Sequence, residues 1–277
     1  MKAAWLMAIN YILMSIFTCF GFPGETAHAQ PKELVGYWMF DDKDNLSKDS
    51  GIYGNDAQKA GNGKVEWSSN GKFGGALLLN GNSWLEAPDS DSLSIDGEQV
   101  SVMAWVNFSA IGDFYQSVVA KKGPGGDKHA AYHLTLIRNG YIGGGFFFDA
   151  LTEKGRALNS IKPQEKPKTW YHIAGVYDGN SQRMYLDGKL ALGNGQDGFD
   201  NPQKQSGKLI KSEEPLLIGN GWDGTIMHGG LIDDVAIFNR ALTAEEIEKA
   251  MRLGVAAGVL VVDFSGKLAT TWSRLKW

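Results

Sequence analysis

Apolar and polar positions along this chain fall mainly into short alternating runs, the period-two pattern of half-buried β-strands. The run Gly229–Phe238 shows both the pattern and its difficulty. Strict alternation puts Leu231, Asp233, Val235 and Ile237 on one face and Ile232, Asp234, Ala236 and Phe238 on the other. Either face then buries an aspartate. A β-bulge at the Asp pair would let Ile232, Val235 and Ile237 share the core face and turn a carboxylate sideways. An uncompensated charge there would cost several kcal/mol or shift its pKa, so the pair needs a cation or several N–H donors. A helix follows. Thr243 at the N-cap and Glu246 three residues on form a capping box, and Leu242 is placed to staple onto Ile247.

Other strands follow the same rule. Val100–Phe108 is apolar on both faces, which marks a central strand. His133–Arg138 and Tyr141–Phe148 flank Asn139-Gly140, a two-residue hairpin signal. A second hairpin turns at Asp187-Gly188, between Arg183–Leu186 and Lys189–Leu192, and is reached from Trp170–Tyr177 through Asp178-Gly179-Asn180. Consecutive hairpins build antiparallel sheets, so the pattern predicts an all-β sandwich with one short C-terminal helix. Two long polar segments, Glu153–Lys168 and Gly193–Ser212, read as loops. Past the helix, Gly254 is a C′ residue. Val255–Asp263 reads as an apolar strand-like run, and Leu268, Trp272 and Leu275 follow at helical spacing.

Composition sharpens this picture at a few points. The 36 glycines and 11% aromatic residues suit many short strands and tight turns. Lys2, the apolar run Ala3–Phe22 and the small-x-small site Ala27-His28-Ala29 predict a secretory signal over residues 1–29. An uncleaved anchor is the competing account, although Asn10, Tyr11 and Ser15 interrupt the apolar run. Cleavage would remove Lys2 and Glu25 together and leave the formal net charge at −4. That mildly acidic balance argues against nucleic acid and against anionic membranes. Cleavage would also remove Cys19, the single cysteine, leaving no disulfide, thiol nucleophile or thiolate ligand. The predicted organisation is a signal over 1–29, one domain over 33–253 and a tail over 254–277. The predicted location is secreted or in the cell envelope, with no membrane insertion after cleavage.

Seven segments carry a family resemblance: Leu34–Asp41, Asp49–Ala57, Gly71–Gly81, Val100–Val106, Trp170–Asp178, Met184–Lys189 and Gly229–Ile247. In this order, over about Glu33 to Arg252, they resemble the laminin-G-like, concanavalin A-like lectin/glucanase domains of the bacterial LamG-like jellyroll branch. The resemblance implies a two-sheet antiparallel jellyroll whose first and last strands are neighbours. It also implies a structural calcium at the rim, held by Asp49 and Asn55 after the first strand, Asp41 at its end, and Asp233 or Asp234 on the last strand. Asp234 heads that set, since calcium takes six to eight oxygens from converging segments. The alternative is that Asp49 makes an Asx-turn over Ser50-Gly51 while Asp233 and Asp234 accept hydrogen bonds from loop amides.

Sugar sites of related modules use exposed aromatics beside amides and carboxylates. Asn220-Gly221-Trp222-Asp223-Gly224 has that composition, with Trp222 either stacking on a sugar or folding over the sandwich edge. Trp67, Tyr53 and Tyr115 are further aromatic candidates. The paired-carboxylate strand of the retaining glucanases and the lyase pattern of the same fold are missing from the sequence. Glu245, Glu246 and Glu248 belong to the capped helix. His133 and His172 lie within strands and read as packed or hydrogen-bonded, and Lys121–Gly126 has neither phosphate-loop spacing nor a following helix. The expected function is therefore a secreted, non-catalytic binding or adhesion module for glycans or cell-surface and matrix components. Its rivals are a polysaccharide-active enzyme with atypical carboxylates and a purely structural envelope or matrix protein.

Overall fold

The computed structural model describes residues 30–110, 115–126, 130–137, 145–161, 166–193, 200–221 and 225–259. The predicted signal over 1–29, the Asn139-Gly140 turn, Trp222 and Asp223, and the tail from residue 260 lie outside the described residues. The early strands are β1 (Leu34–Trp38), β2 (Gln58–Gly61), β3 (Lys64–Ser68), β4 (Ala76–Asn80), β5 (Ser83–Ala87) and β6 (Val100–Phe108). Next come β7 (Tyr115–Lys122), β8 (Ala130–Ile137), β9 (Gly145–Thr152), β10 (Gly155–Ser160), β11 (Tyr171–Tyr177) and β12 (Ser181–Leu186). The short β13 (Lys189–Leu190), β14 (Gln203–Lys204) and β15 (Leu216–Ile218) precede β16 (Gly229–Phe238). Two helices, α1 (Ala244–Leu253) and α2 (Val255–Gly258), close the described chain.

Every strand pairing is antiparallel. The first sheet runs β13-β12-β11-β6-β16-β4-β3, with β1 also on β16 and β14 on β12. The second runs β10-β9-β8-β7-β15-β5-β2. Trp38, Val102, Val106, Leu77, Ile232 and Ile237 from the first sheet meet Leu85, Leu134, Phe148 and Ile218 from the second in one buried core. The fold is the expected two-sheet sandwich.

The β16 bulge forms where the Asp pair required it. Asp233 pairs with Trp105 and Ala236 with Met103, so the β16 side carries the extra residue. Asp234 takes a left-handed φ of 51°, a conformation Asp tolerates better than most side chains. Ile232, Val235 and Ile237 consequently all enter the inter-sheet core. Ala236 and Phe238 join Tyr37, Met103 and Val176 on the outer face, under Leu242, Ile247 and Ala250. β6 is buried on both faces because it has the sandwich on one side and α1 on the other. The capping box of Thr243 and Glu246 is present.

Two readings need correction. Neither long polar segment is all loop, since Gln203–Lys204 within Gly193–Ser212 forms β14 on β12, and Gly155–Ser160 within Glu153–Lys168 forms the edge strand β10 on β9. The sequence of β10, Gly-Arg-Ala-Leu-Asn-Ser, does not alternate, so its pairing with β9 is what defines it as a strand. The strand-like run after Gly254 opens as the helical turn α2, with Val255 and Val259 buried in the α1 cluster. Among the described residues, no helix is long and apolar enough to cross a membrane.

Candidate functional site

The carboxylates of the closing strand are occupied by amides. Asp233 Oδ2 accepts hydrogen bonds from the Lys72 and Phe73 N–H groups at 2.7 and 2.9 Å. Its Oδ1 is buried with no hydrogen-bond partner among the described residues. Burial, with the Asp234 charge adding to it, pushes the Asp233 carboxyl up to about 7 despite those two amides. Asp234 accepts from the Tyr37 hydroxyl at 2.6 Å and from the Val255 N–H at 2.9 Å. Burial raises its pKa too, and the Tyr37 hydrogen bond works against that rise. The bulge thus ties β16 to β1, to the 71–75 turn and to the start of α2.

Asp49 does comparable work at β1, accepting from the N–H groups of Tyr37, Gly51 and Asn55, each at 2.8 Å. Asn55 donates to Val35 O and Ser92 Oγ and accepts from Ser90 Oγ. Asp41 accepts from the Gly75 N–H at 2.8 Å. A Cβ on the neighbouring Gly74 would lie 2.1 Å from Asp41 Oδ1, which accounts for glycine there. Among the described residues, no group of three or more acidic, imidazole or thiol side chains is placed to hold a metal ion. As arranged, Asp41, Asp49, Asn55, Asp233 and Asp234 make the hydrogen bonds of amide and hydroxyl bracing.

The aromatic candidates separate. Trp67 is half-buried against the core and donates to Phe40 O at 3.1 Å, so it is a packing residue. Tyr53 is exposed, with its hydroxyl on Lys32 O, beside a minor hollow that also includes Asp91 and Asp96. Tyr115 is half-buried at the start of β7. Asn220 is 8% exposed, and its Oδ1 accepts from the Gly221 N–H.

Both strand histidines are buried, as expected. His172 packs against Trp105 with ring centroids 5.3 Å apart, and burial, reinforced by the Lys72 charge, lowers its pKa to about 3. His133 belongs to a chain the sequence did not disclose, because its members meet only through strand pairing. Ser117 Oγ lies 2.8 Å from His133 Nε2, His133 Nδ1 lies 3.4 Å from Asp149 Oδ1, and Arg156 Nε donates to Asp149 Oδ2 at 2.8 Å. Burial alone would raise the Asp149 carboxyl, but Arg156 and His133 hold it below its ordinary value. The order of groups is that of an activated serine. Ser117 is nonetheless sealed, with no accessible surface, and a Cβ on Gly221 would lie 2.5 Å from its Oγ. The chain acts as a polar strut across β7, β8, β9 and β10.

The open concavity lies on the outer face of the first sheet, at the end that α1 and α2 leave uncovered. Its floor is a cross-strand row in which Asn107, Leu231 and Leu78 are successive partners on β6, β16 and β4. Asn70, Asn80 and Ser68 form one side, and Ser109, Lys168, Trp170 and His228 the other, around about 500 Å³. At this end β16 opens with Gly229-Gly230, where only glycine allows the close approach to β6. A Cβ on Gly230 would lie 2.2 Å from Asn107 O. Trp170 is half-buried and stands edge-on to Trp105, with centroids 6.5 Å apart. Trp105 in turn carries Lys72 Nζ 4.1 Å above its ring. An indole braced from behind, with amides and hydroxyls around an apolar floor, is the composition of a small-ligand site. No contiguous stretch of sequence signals it, because its lining comes from segments far apart in the chain.

The model of a laminin G family, described as the concanavalin A-like lectin/glucanases superfamily, matches residues 79–248. The chain belongs to this superfamily. Solved structures share the sandwich fold. Domain 4 of AbnA, an extracellular GH43 arabinanase from Geobacillus stearothermophilus solved with arabinotriose, is 20% identical, with a TM-score of 0.59 over 78% of this chain and 97% of that one. The binding domain of botulinum neurotoxin serotype G is 16% identical, with a TM-score of 0.56 over 79% of this chain and 51% of that one. The serotype D ligand-binding domain in complex with N-acetylneuraminic acid is 14% identical, with a TM-score of 0.54 over 80% and 51%. The chain thus spans about half of the toxin domains it matches. Comparison with curated protein sequences finds no match. At these identities the likeness concerns the fold.

Proposed function

We propose that this protein is a secreted, non-catalytic glycan-binding module and that its sugar site is the Trp170 groove. The observation that carries this reading is the braced Trp170 indole beside Asn70, Asn80 and Asn107 over the Leu78–Leu231 floor. A sugar ring offers an apolar face to an indole and hydroxyls to amides, and the groove holds both kinds of partner at once. Similar folds solved with arabinotriose and with N-acetylneuraminic acid support the ligand class. Among the described residues no carboxylate lines the groove, whereas glycoside hydrolysis commonly needs two flanking the scissile bond. That favours binding over cleavage.

Trp170→Ala tests the site. Removing the stacking surface should weaken glycan binding about tenfold or more by calorimetry, the equivalent of about 1.4 kcal/mol. Unchanged affinity in a variant that still unfolds cooperatively would remove the groove from consideration. Export rests on Ala3–Phe22 and Ala27-His28-Ala29. Mass measurement of the exported protein should find Gln30 at its N-terminus, and an intact Met1 would replace the cleaved signal with an uncleaved anchor.

A further inference from the structure

The charge around the groove narrows the ligand class, in an inference that rests on the groove being the sugar site. The whole chain is acidic, with 31 Asp and Glu against 27 Lys and Arg, yet among the described residues no Asp or Glu lines this concavity. Its ionisable lining residues are Lys168 and His228, both exposed. Lys168 forms no ion pair among the described residues. Its backbone is fixed in place, with a left-handed φ of 61° and an N–H donating to Phe108 O at 2.7 Å. A lysine in that conformation carries local strain, which persists only where the surroundings enforce it. Lys72 Nζ lies 4.1 Å from the ring centroid of Trp105, the indole that Trp170 meets edge-on.

Two acids lie close to the described lining without being part of it. Asp233 is two residues from Leu231 but has no accessible surface and is covered by the Lys72 and Phe73 amides. Glu66 is the β3 partner of Leu78, on the edge strand outside the lining. A neutral sugar would not need an acid-free hollow on an acidic protein. An anionic one would, because a carboxylate in the lining would repel it and a free lysine would draw it in.

We infer that the groove selects an acidic glycan, with one sugar ring on Trp170 and its anionic group on Lys168. The anion can be a sugar carboxylate or a sulfate ester, since an ammonium group accepts either as a point charge. Affinity electrophoresis of the full exported chain at 50 mM NaCl would use three polymers: polygalacturonate, dextran sulfate and neutral arabinan. Retention by at least one of the acidic polymers should exceed that by arabinan, and the better of the two identifies the anion. Lys168→Gln should lower acidic-polymer affinity about fivefold, as loss of one partly exposed ion pair would, and leave arabinan unchanged. Raising NaCl to 0.5 M should weaken only the acidic ligands.

Retention of arabinan as strong as that of both acidic polymers, or acidic binding indifferent to Lys168→Gln, overturns this inference. If Trp170→Ala still abolishes binding in that case, the groove remains a sugar site. Binding that survives Trp170→Ala, or no binding to any of the three polymers, overturns this inference together with the reading it rests on.

Discussion

Burial of Asp233 beneath the Lys72 and Phe73 amides gives one residue a measurable hold on pH dependence. Its carboxyl titrates at about 7 in the fold, against 3.8 for an ordinary Asp. A pKa raised by folding means that the folded state binds the proton more tightly than the unfolded chain. The stability from this proton is fully present below about pH 4 and is lost as pH rises through 7. The window between is worth a few kcal/mol at most, on the order of 1.4 kcal/mol per pH unit. Asp149 and Asp89 act with the opposite sign, because their folded pKa values are lowered and their contributions disappear on acidification. Asp233→Asn isolates the effect, since the amide oxygen can still accept from Lys72 and Phe73. Melting temperature against pH from 5 to 8 should be flatter, or rise more with pH, in the variant than in the native chain. Superimposable curves would show that Asp233 titrates as an ordinary aspartate.

At the scale of elements, legibility followed how local the determining contacts are. The β16 bulge could be foreseen because its cause, two aspartates between core residues, lies within ten residues of sequence. The capping box spans four residues and was equally plain. The Asp187-Gly188 hairpin showed itself through a turn needing positive φ at both positions, 48° and 75° in the structure. β10 was missed because its six residues, Ala157 and Leu158 side by side among them, do not alternate, and its partner β9 is what makes it a strand. The run after Gly254 misled for the opposite reason. Val255 and Val259 are four apart and both buried under α1, so a short apolar run was compatible with either period. The groove lay beyond sequence reach in another way. Its floor joins β6, β16 and β4, whose sequence separations exceed any window in which a pattern could be counted. The aromatic loop around Trp222 drew attention because its chemistry was contiguous, whereas Trp170, Asn107 and Asn80 became neighbours only after folding.

At the scale of the whole molecule, a jellyroll brings its first and last strands together and must hold that seam. Here Tyr37 on β1 is clasped from two sides, its hydroxyl by Asp234 of β16 and its N–H by Asp49 from the following turn. The Val255 N–H takes the other oxygen of Asp234, so α2 is fastened to the same point. These carboxylates meet their need for positive partners with N–H and O–H dipoles, and that is the physical argument against a calcium ion as the clasp. A calcium ion at a hundredfold excess over its Kd would stabilise the fold by about 2.7 kcal/mol, raising Tm by roughly 5–10 °C. The expected result is a Tm unchanged between EGTA and millimolar calcium. Asp49→Ala should instead destabilise by about 3 kcal/mol or more in either buffer, because three backbone N–H groups lose their shared acceptor. A calcium-dependent rise that disappears in Asp234→Ala would reverse this conclusion. The seam would then be a metal site whose carboxylates exchange amide donors for the ion, and the Tyr37 clasp would be its apo arrangement.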